Sequence, residues 1–191
     1  MADEPKFTSL RLQQLSQALQ DGDSVTVMAA FWDEIKTRGT PLIEPLPDDD
    51  PDTAAGKHIL VTFLFEGNSD TENVYLHSPL APPPAKGSLA GKLLTRFGDP
   101  QTGDSANHLW YHTEKLREDL RTTYQLLPND PRKKSAEMTE EENKALRTKL
   151  YTAFDPLNAR KMIFPGDPDV PDDPDFILSI FEAPKVVPQK H

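Results

Sequence analysis

The run HILVTFLFE at His58–Glu66 constrains this chain more than any other stretch. Its period is two: Ile59, Val61, Phe63 and Phe65 fall on one face, and Leu60, Thr62 and Leu64 on the other. Such alternation specifies a strand, and apolar residues on both faces specify a central one that is covered from both sides. The remaining sequence has to supply that cover.

Upstream the period is 3.6. Leu12, Leu15 and Leu19 form an apolar stripe that ends at Asp21-Gly22. Asp23 or Ser24 can accept the first free N–H groups of a second helix, whose stripe is Met28, Phe31, Trp32 and Ile35. Gly39 stands where a left-handed cap belongs, and Thr40-Pro41 prevents continuation. A helical segment over 1–40 is therefore expected to pack on a sheet.

Downstream the short strands continue. Gly67-Asn68-Ser69-Asp70 reads as a turn joining the first strand to NVYLH (73–77) in a hairpin. Residues 92–97, LWYHT (109–113), LRTTYQLL (120–127) and FILSIF (176–181) are further strands, and PLAPPP (79–84) is an extended connector. Thr139 and Glu142 have capping-box spacing, which opens a charged helix over 139–151. Helices do not alternate with strands, which argues against a doubly wound parallel sheet. The chain is read as mainly β with added helices: an immunoglobulin-like β-sandwich over 41–184, an N-terminal helical pair over 1–40, and a tail over 185–191 with little reason to be ordered.

Charge limits the function. The net charge is −10, but residues 44–56 and 167–175 hold ten acidic side chains and no basic one. The rest balances, with 21 acidic against 21 basic residues. No basic tract is longer than Arg132-Lys133-Lys134, which argues against nucleic acid and anionic membranes as partners. No apolar run is long enough to span a bilayer, and no secretory signal opens the chain, so a cytoplasmic protein is expected. The absence of Cys removes disulfides, thiol catalysis and Cys-ligated metals.

Motifs for chemistry are few. A nucleophile elbow needs G-x-S-x-G; the turns around Ser69 and Ser105 both lack the closing glycine. His108 and His112 are four apart, but on a strand that separates them by about 13 Å, too far for one metal ion. The Asp-rich run 167–175 has no Gly to wrap a Ca²⁺ ion, and three prolines are expected to hold it extended. No catalytic set, metal site or resident cofactor is expected. One constellation remains: Trp110, Tyr111, Arg117, Arg121 and Tyr124, on or beside two strands read as adjacent. Rings and guanidinium groups suit a planar anionic aromatic ligand, or a sugar; packing of Trp110 and Tyr124 in a sandwich core is the competing reading.

Several stretches carry a family resemblance: FWDEIKTRGTPLIE (31–44), LVTFLFEG (60–67), NVYLH (73–77), LWYHTEKLREDLRTTYQLLPND (109–130), DPLNARK (155–161) and FILSIFEAP (176–184). In this order they resemble the N-terminal domain of the enterochelin (enterobactin) esterases, which hydrolyse ferric-siderophore trilactones. The resemblance implies an early-set immunoglobulin-like sandwich. In the family it precedes an α/β-hydrolase domain that holds the catalytic serine, and this chain ends about where that domain would begin. No catalytic residue can be carried over; Trp110, Arg121 and Tyr124 match positions in a domain with a supporting role. The implied function is a non-catalytic domain that assists binding and hydrolysis of a ferric catecholate siderophore for iron release. Its implied partners are that siderophore, with iron present only as part of the ligand, and an α/β-hydrolase esterase domain. A glycogen-type carbohydrate-binding module or a protein-docking domain is the alternative.

Overall fold

The doubly apolar run is strand β2 (His58–Glu66), and both of its faces are covered. A computed structural model describes residues 9–53, 56–80, 91–98, 108–131, 137–170 and 173–187. The basic tract 132–134, the turn holding Ser105, most of the connector 79–84 and the end of the tail lie outside the described residues. Two antiparallel sheets face each other. One has strand order β1-β2-β6-β5, with β1 at Leu42–Glu44, β5 at Thr95–Arg96 and β6 at Leu109–Arg117. The other has order β4-β3-β7-β9-β8, with β3 at Val74–His77, β4 at Lys92–Leu93, β7 at Arg121–Pro128, β8 at Lys161–Phe164 and β9 at Phe176–Glu182.

Period two decides what each face of β2 meets. Val61 and Phe63 point between the sheets, into a core with Val74, Leu76, Trp110, Tyr124, Leu126 and Phe181. Leu64 points outward, beneath helices α1 (Leu10–Asp21) and α2 (Ser24–Arg38). Leu12, Leu15, Met28, Phe31, Trp32 and Ile35 pack there against Leu42, Phe97 and Leu109. Ser9 caps α1 and Asp23 caps α2 by accepting from the Leu12 and Thr26 N–H groups. Gly39 closes α2 at φ +79°, a backbone conformation that favours glycine. Helix α3 (Glu140–Thr152) lies against β7 and β9 and carries the capping box: Thr139 Oγ1 accepts from the Glu142 N–H at 3.1 Å, and Glu142 Oε2 accepts from the Thr139 N–H at 2.8 Å.

Five expectations change. Strands β2 and β3 do not form a hairpin; the chain passes from one sheet to the other. Asn129 fixes that passage from a left-handed position (φ 53°): its Oδ1 accepts from the Glu72 N–H and its Nδ2 donates to the Asp70 carbonyl. Residues 92–97 divide into β4 and β5 in opposite sheets, and β6 and β7, read as adjacent, also lie in opposite sheets. The acidic run is not held extended. Val170 donates to the Asp167 carbonyl in a turn, and Gly166 passes so close to the Asp173 carbonyl that a Cβ would lie 2.1 Å from it. The tail is tied back at its start, where the Lys185 N–H donates to the Glu118 carbonyl and Val186 packs on the inter-sheet core.

Candidate functional site

The five residues singled out from sequence do not form one patch. Trp110 is 7% exposed and Tyr124 1%, both in the inter-sheet core. The indole lies against Gly67, where a Cβ would stand 3.0 Å from Nε1. Neither ring can serve as an exposed sugar platform. Tyr111, next to Trp110 on β6, points to the opposite face; its ring meets Phe97 edge-on beneath the helical pair, and burial pushes its hydroxyl up from the ordinary value. Arg121 begins β7 and pairs with Glu182 at 3.1 Å. Arg117 ends β6, about 23 Å along the strand from Trp110 at the usual rise.

Tyr124 instead anchors a buried polar network. Its hydroxyl donates to Asp155 Oδ2 at 2.7 Å and accepts from Asn158 Nδ2 at 3.0 Å. Thr40 Oγ1 donates to the same carboxylate oxygen at 2.7 Å, the Leu157 N–H donates to Oδ1, and the Asp155 N–H donates to Ser179 Oγ. Burial pushes the Asp155 carboxyl up from its ordinary value, against the hydrogen bonds that pull it down. Burial, and then the Asp155 charge, pushes the Tyr124 hydroxyl well up. Each polar atom named here has a partner, so the network is a joint: it ties the end of α2, the segment after α3 and strand β9 to one core tyrosine. Sequence reasoning met these residues only as part of a motif and missed the joint.

Arg117 does line a cleft. It opens at the end of β2 and β6, with a volume of about 420 Å³, and its walls are Lys57, His58, Arg117, Glu118 and Asp119. The Arg117 guanidinium grips Asp119 through two bonds of 2.9 and 2.7 Å, which hold the Asp119 carboxyl below the usual range. Glu118 accepts from Lys185 Nζ at 2.8 Å. Among the described residues no ion pair engages Lys57, and His58 Nδ1 is buried without a hydrogen-bond partner. The cleft therefore offers the Lys57 ammonium and an edge of the Arg117 guanidinium, which suit an anionic oxygen ligand. No sequence signal marked Lys57 or His58, because their significance depends on the cross-strand register that sets His58 opposite Arg117.

The other candidates have local explanations. His112 and Lys92 share the half-buried Glu114 carboxylate, with His112 Nε2 at 3.1 Å. Burial alone would raise Glu114, but the hydrogen bonds from His112 and Lys92 hold it below its ordinary range. Ser69 sits in a turn where Asn68 Oδ1 accepts from the Asp70 N–H. No group of three or more metal-ligating side chains gathers among the described residues, and no described helix is long and apolar enough to cross a membrane.

No protein-family model matches the chain, and neither does any curated protein. Solved structures do. Ferric enterobactin esterase from Salmonella typhimurium aligns with a TM-score of 0.50 at 15% identity, over 84% of this chain and 38% of that one. This chain has the fold of part of that esterase. The enterobactin esterase from Shigella flexneri aligns with a TM-score of 0.49 at 19% identity in the presence of 2,3-dihydroxy-N-benzoyl-glycine. In the presence of enterobactin it aligns with a TM-score of 0.45 at 16% identity. In both, 84% of this chain covers 36% of the esterase. The chain thus spans little more than a third of the structures it matches.

Proposed function

We propose that this chain is a siderophore-esterase-type N-terminal domain with an immunoglobulin-like sandwich and no catalytic set of its own. It helps hold a ferric catecholate trilactone in the cytoplasm while an α/β-hydrolase domain or partner cleaves the esters. Iron enters only as part of that ligand. The fold shared with ferric enterobactin esterase carries the reading. It is supported by the ordered motifs of the sequence, whose Trp110, Tyr124, Asp155 and Asn158 build the core and the joint described above.

Ferric catecholate complexes are anionic. On this reading Lys57 and Arg117 meet the ligand's oxygens at the cleft, and Arg121 lies beyond the short turn that leads to β7. Trp110, Tyr111 and Tyr124 hold the sheets in place behind them. Titration with ferric enterobactin, followed through the fluorescence of Trp32 and Trp110, tests this directly. Saturable quenching in the micromolar range is expected. A Lys57→Ala, Arg117→Ala double variant should bind about tenfold or more weakly, with an unchanged circular dichroism spectrum. No saturable change in the unmodified chain overturns ligand binding; equal affinity in the double variant removes the cleft from it.

A further inference from the structure

Among the described residues, strand β8 ends the five-stranded sheet and pairs only with β9. Its register with β9 sets Lys161 opposite Ser179, and the Ile180 N–H donates to the Arg160 carbonyl at 2.9 Å. Backbone direction alternates along an antiparallel strand, so Arg160, Met162 and Phe164 aim their N–H and C=O groups at β9. Lys161 and Ile163 aim theirs at the open edge. The edge is apolar as well as open: Met162 is 38%, Ile163 54% and Phe164 48% exposed, and Phe164 stacks on Phe176 at 6.0 Å. An open edge of this kind is a template for another strand.

The two ends of this edge carry opposite charge. Arg160, which pairs with Glu182 of its own sheet, and Lys161, whose Nζ lies 3.9 Å over the Phe154 ring, stand at the start of β8. The loop after it carries Asp167, Asp169, Asp173 and Asp175, and among the described residues no ion pair engages any of the four. Three of these carboxylates only accept from N–H groups of their own loop, at Gly166, Asp167 and Asp169. An antiparallel copy of the same strand would bring the basic start of one molecule to the acidic loop of the other. The edge is complementary to itself.

We infer that two copies of this chain associate through β8, antiparallel about a two-fold axis at Met162, joining their five-stranded sheets into one. Lys161 of each copy then exchanges backbone bonds with Ile163 of the other, giving four bonds across the axis. Arg160 of each copy lies beside the Phe164 ring of the other, a cation–π arrangement. The neighbouring registers are worse. An axis at Ile163 sets Lys161 against Pro165, which has no N–H to give; an axis at Lys161 sets two lysines side by side. Lys161 and Pro165, residues that elsewhere blunt an edge, here select one register. The contact is narrow, so the association is weak and reversible, with a dissociation constant on the order of 10–100 µM.

Sedimentation equilibrium of the full chain from about 5 to 500 µM tests it. A monomer–dimer equilibrium is expected, weakened severalfold between about 0.05 and 0.5 M salt. Ile163→Pro removes an outward N–H that the β8–β9 ladder does not use, and should leave a folded monomer throughout the range. Ile163→Lys sets like charges against Lys161 of the second copy at both equivalent positions, and should have the same effect if the proline variant fails to fold. A monomer at every concentration overturns the proposal, as does a dimer whose stability is unchanged in a folded Ile163 variant.

Discussion

The outer faces of the two sheets are covered in different ways. Over the four-stranded sheet, α1 and α2 insert Leu12, Leu15, Met28, Phe31, Trp32 and Ile35, all buried, to make a second core. Over the five-stranded sheet lies α3, which has no buried residue. Its first turn is Glu140, Glu141 and Glu142, and it rests on the sheet through the Tyr151–Phe176 ring contact and a hydrogen bond from Gln125 Nε2 to the Leu150 carbonyl. One cover is part of the folding unit. The other leaves Met162, Ile163 and Phe164 exposed beside it. Burial concentrates stabilisation on the first side and leaves the second free for contacts with other molecules.

The largest expected effect falls on the first cover. Phe31→Ala opens a cavity between α2 and the sheet, and should cost about 3–5 kcal/mol in urea unfolding, with loss of one cooperative transition for the whole chain. If the cost is below about 1 kcal/mol, the helical pair is no more integral than α3 and the contrast fails. Next comes the joint between the covers. Asp155→Ala strips the acceptor from both Thr40 and Tyr124, leaving two buried hydroxyl donors without an acceptor, and should cost about 2–4 kcal/mol. Smaller still is Thr139→Ala in the cap of α3, worth about 1 kcal/mol to that helix. Faster amide exchange within residues 140–152, with an unchanged global midpoint, is the expected result. A shift of the global midpoint by the full amount would make α3 part of the folding unit after all.

The same contrast explains what the sequence made legible. The helical pair was readable because its stripes and β2's two apolar faces answer one another; each pattern is local, and each demands a partner. Strand β8 was missed because four residues between Arg160 and Pro165 carry no alternation that burial would enforce. Which sheet a strand joins was not readable. Glu118, Asp119 and Leu120 separate β6 from β7, and a link that short serves a hairpin within a sheet as well as a passage between sheets. The aromatic and arginine residues lie apart for a reason partly present in the sequence: Trp110 and Tyr111 are consecutive, so period two sends them to opposite faces. The motif W-Y-x-T-x-x-L-x-x-D-L-R-x-x-Y supplies contacts within each sheet and to the segment after α3. Thr113 bonds Thr62, Arg121 pairs with Glu182, and Tyr124 bonds Asp155.

The smallest effect is a pH dependence, and its sign separates the joint from the other carboxylates. Folding raises the Asp155 carboxyl from its ordinary 3.8, so its contribution to stability is fully present below that value and declines as pH rises through the raised folded value. Glu34 and Glu114 are held below their ordinary 4.5 in the fold, so theirs is present above that value and is lost as pH falls. Unmodified protein therefore shows the sum of two opposed slopes. Asp155→Asn stands in for the neutral acid at every pH and removes one slope. The destabilisation it causes should be greatest in acid and shrink as pH rises from about 4 toward neutrality, read from urea midpoints at matched ionic strength. A cost that grows with pH would mean that the ionised carboxylate is the preferred form in the fold, and that the joint between the two covers is held by charge, with Thr40 and Tyr124 as its donors.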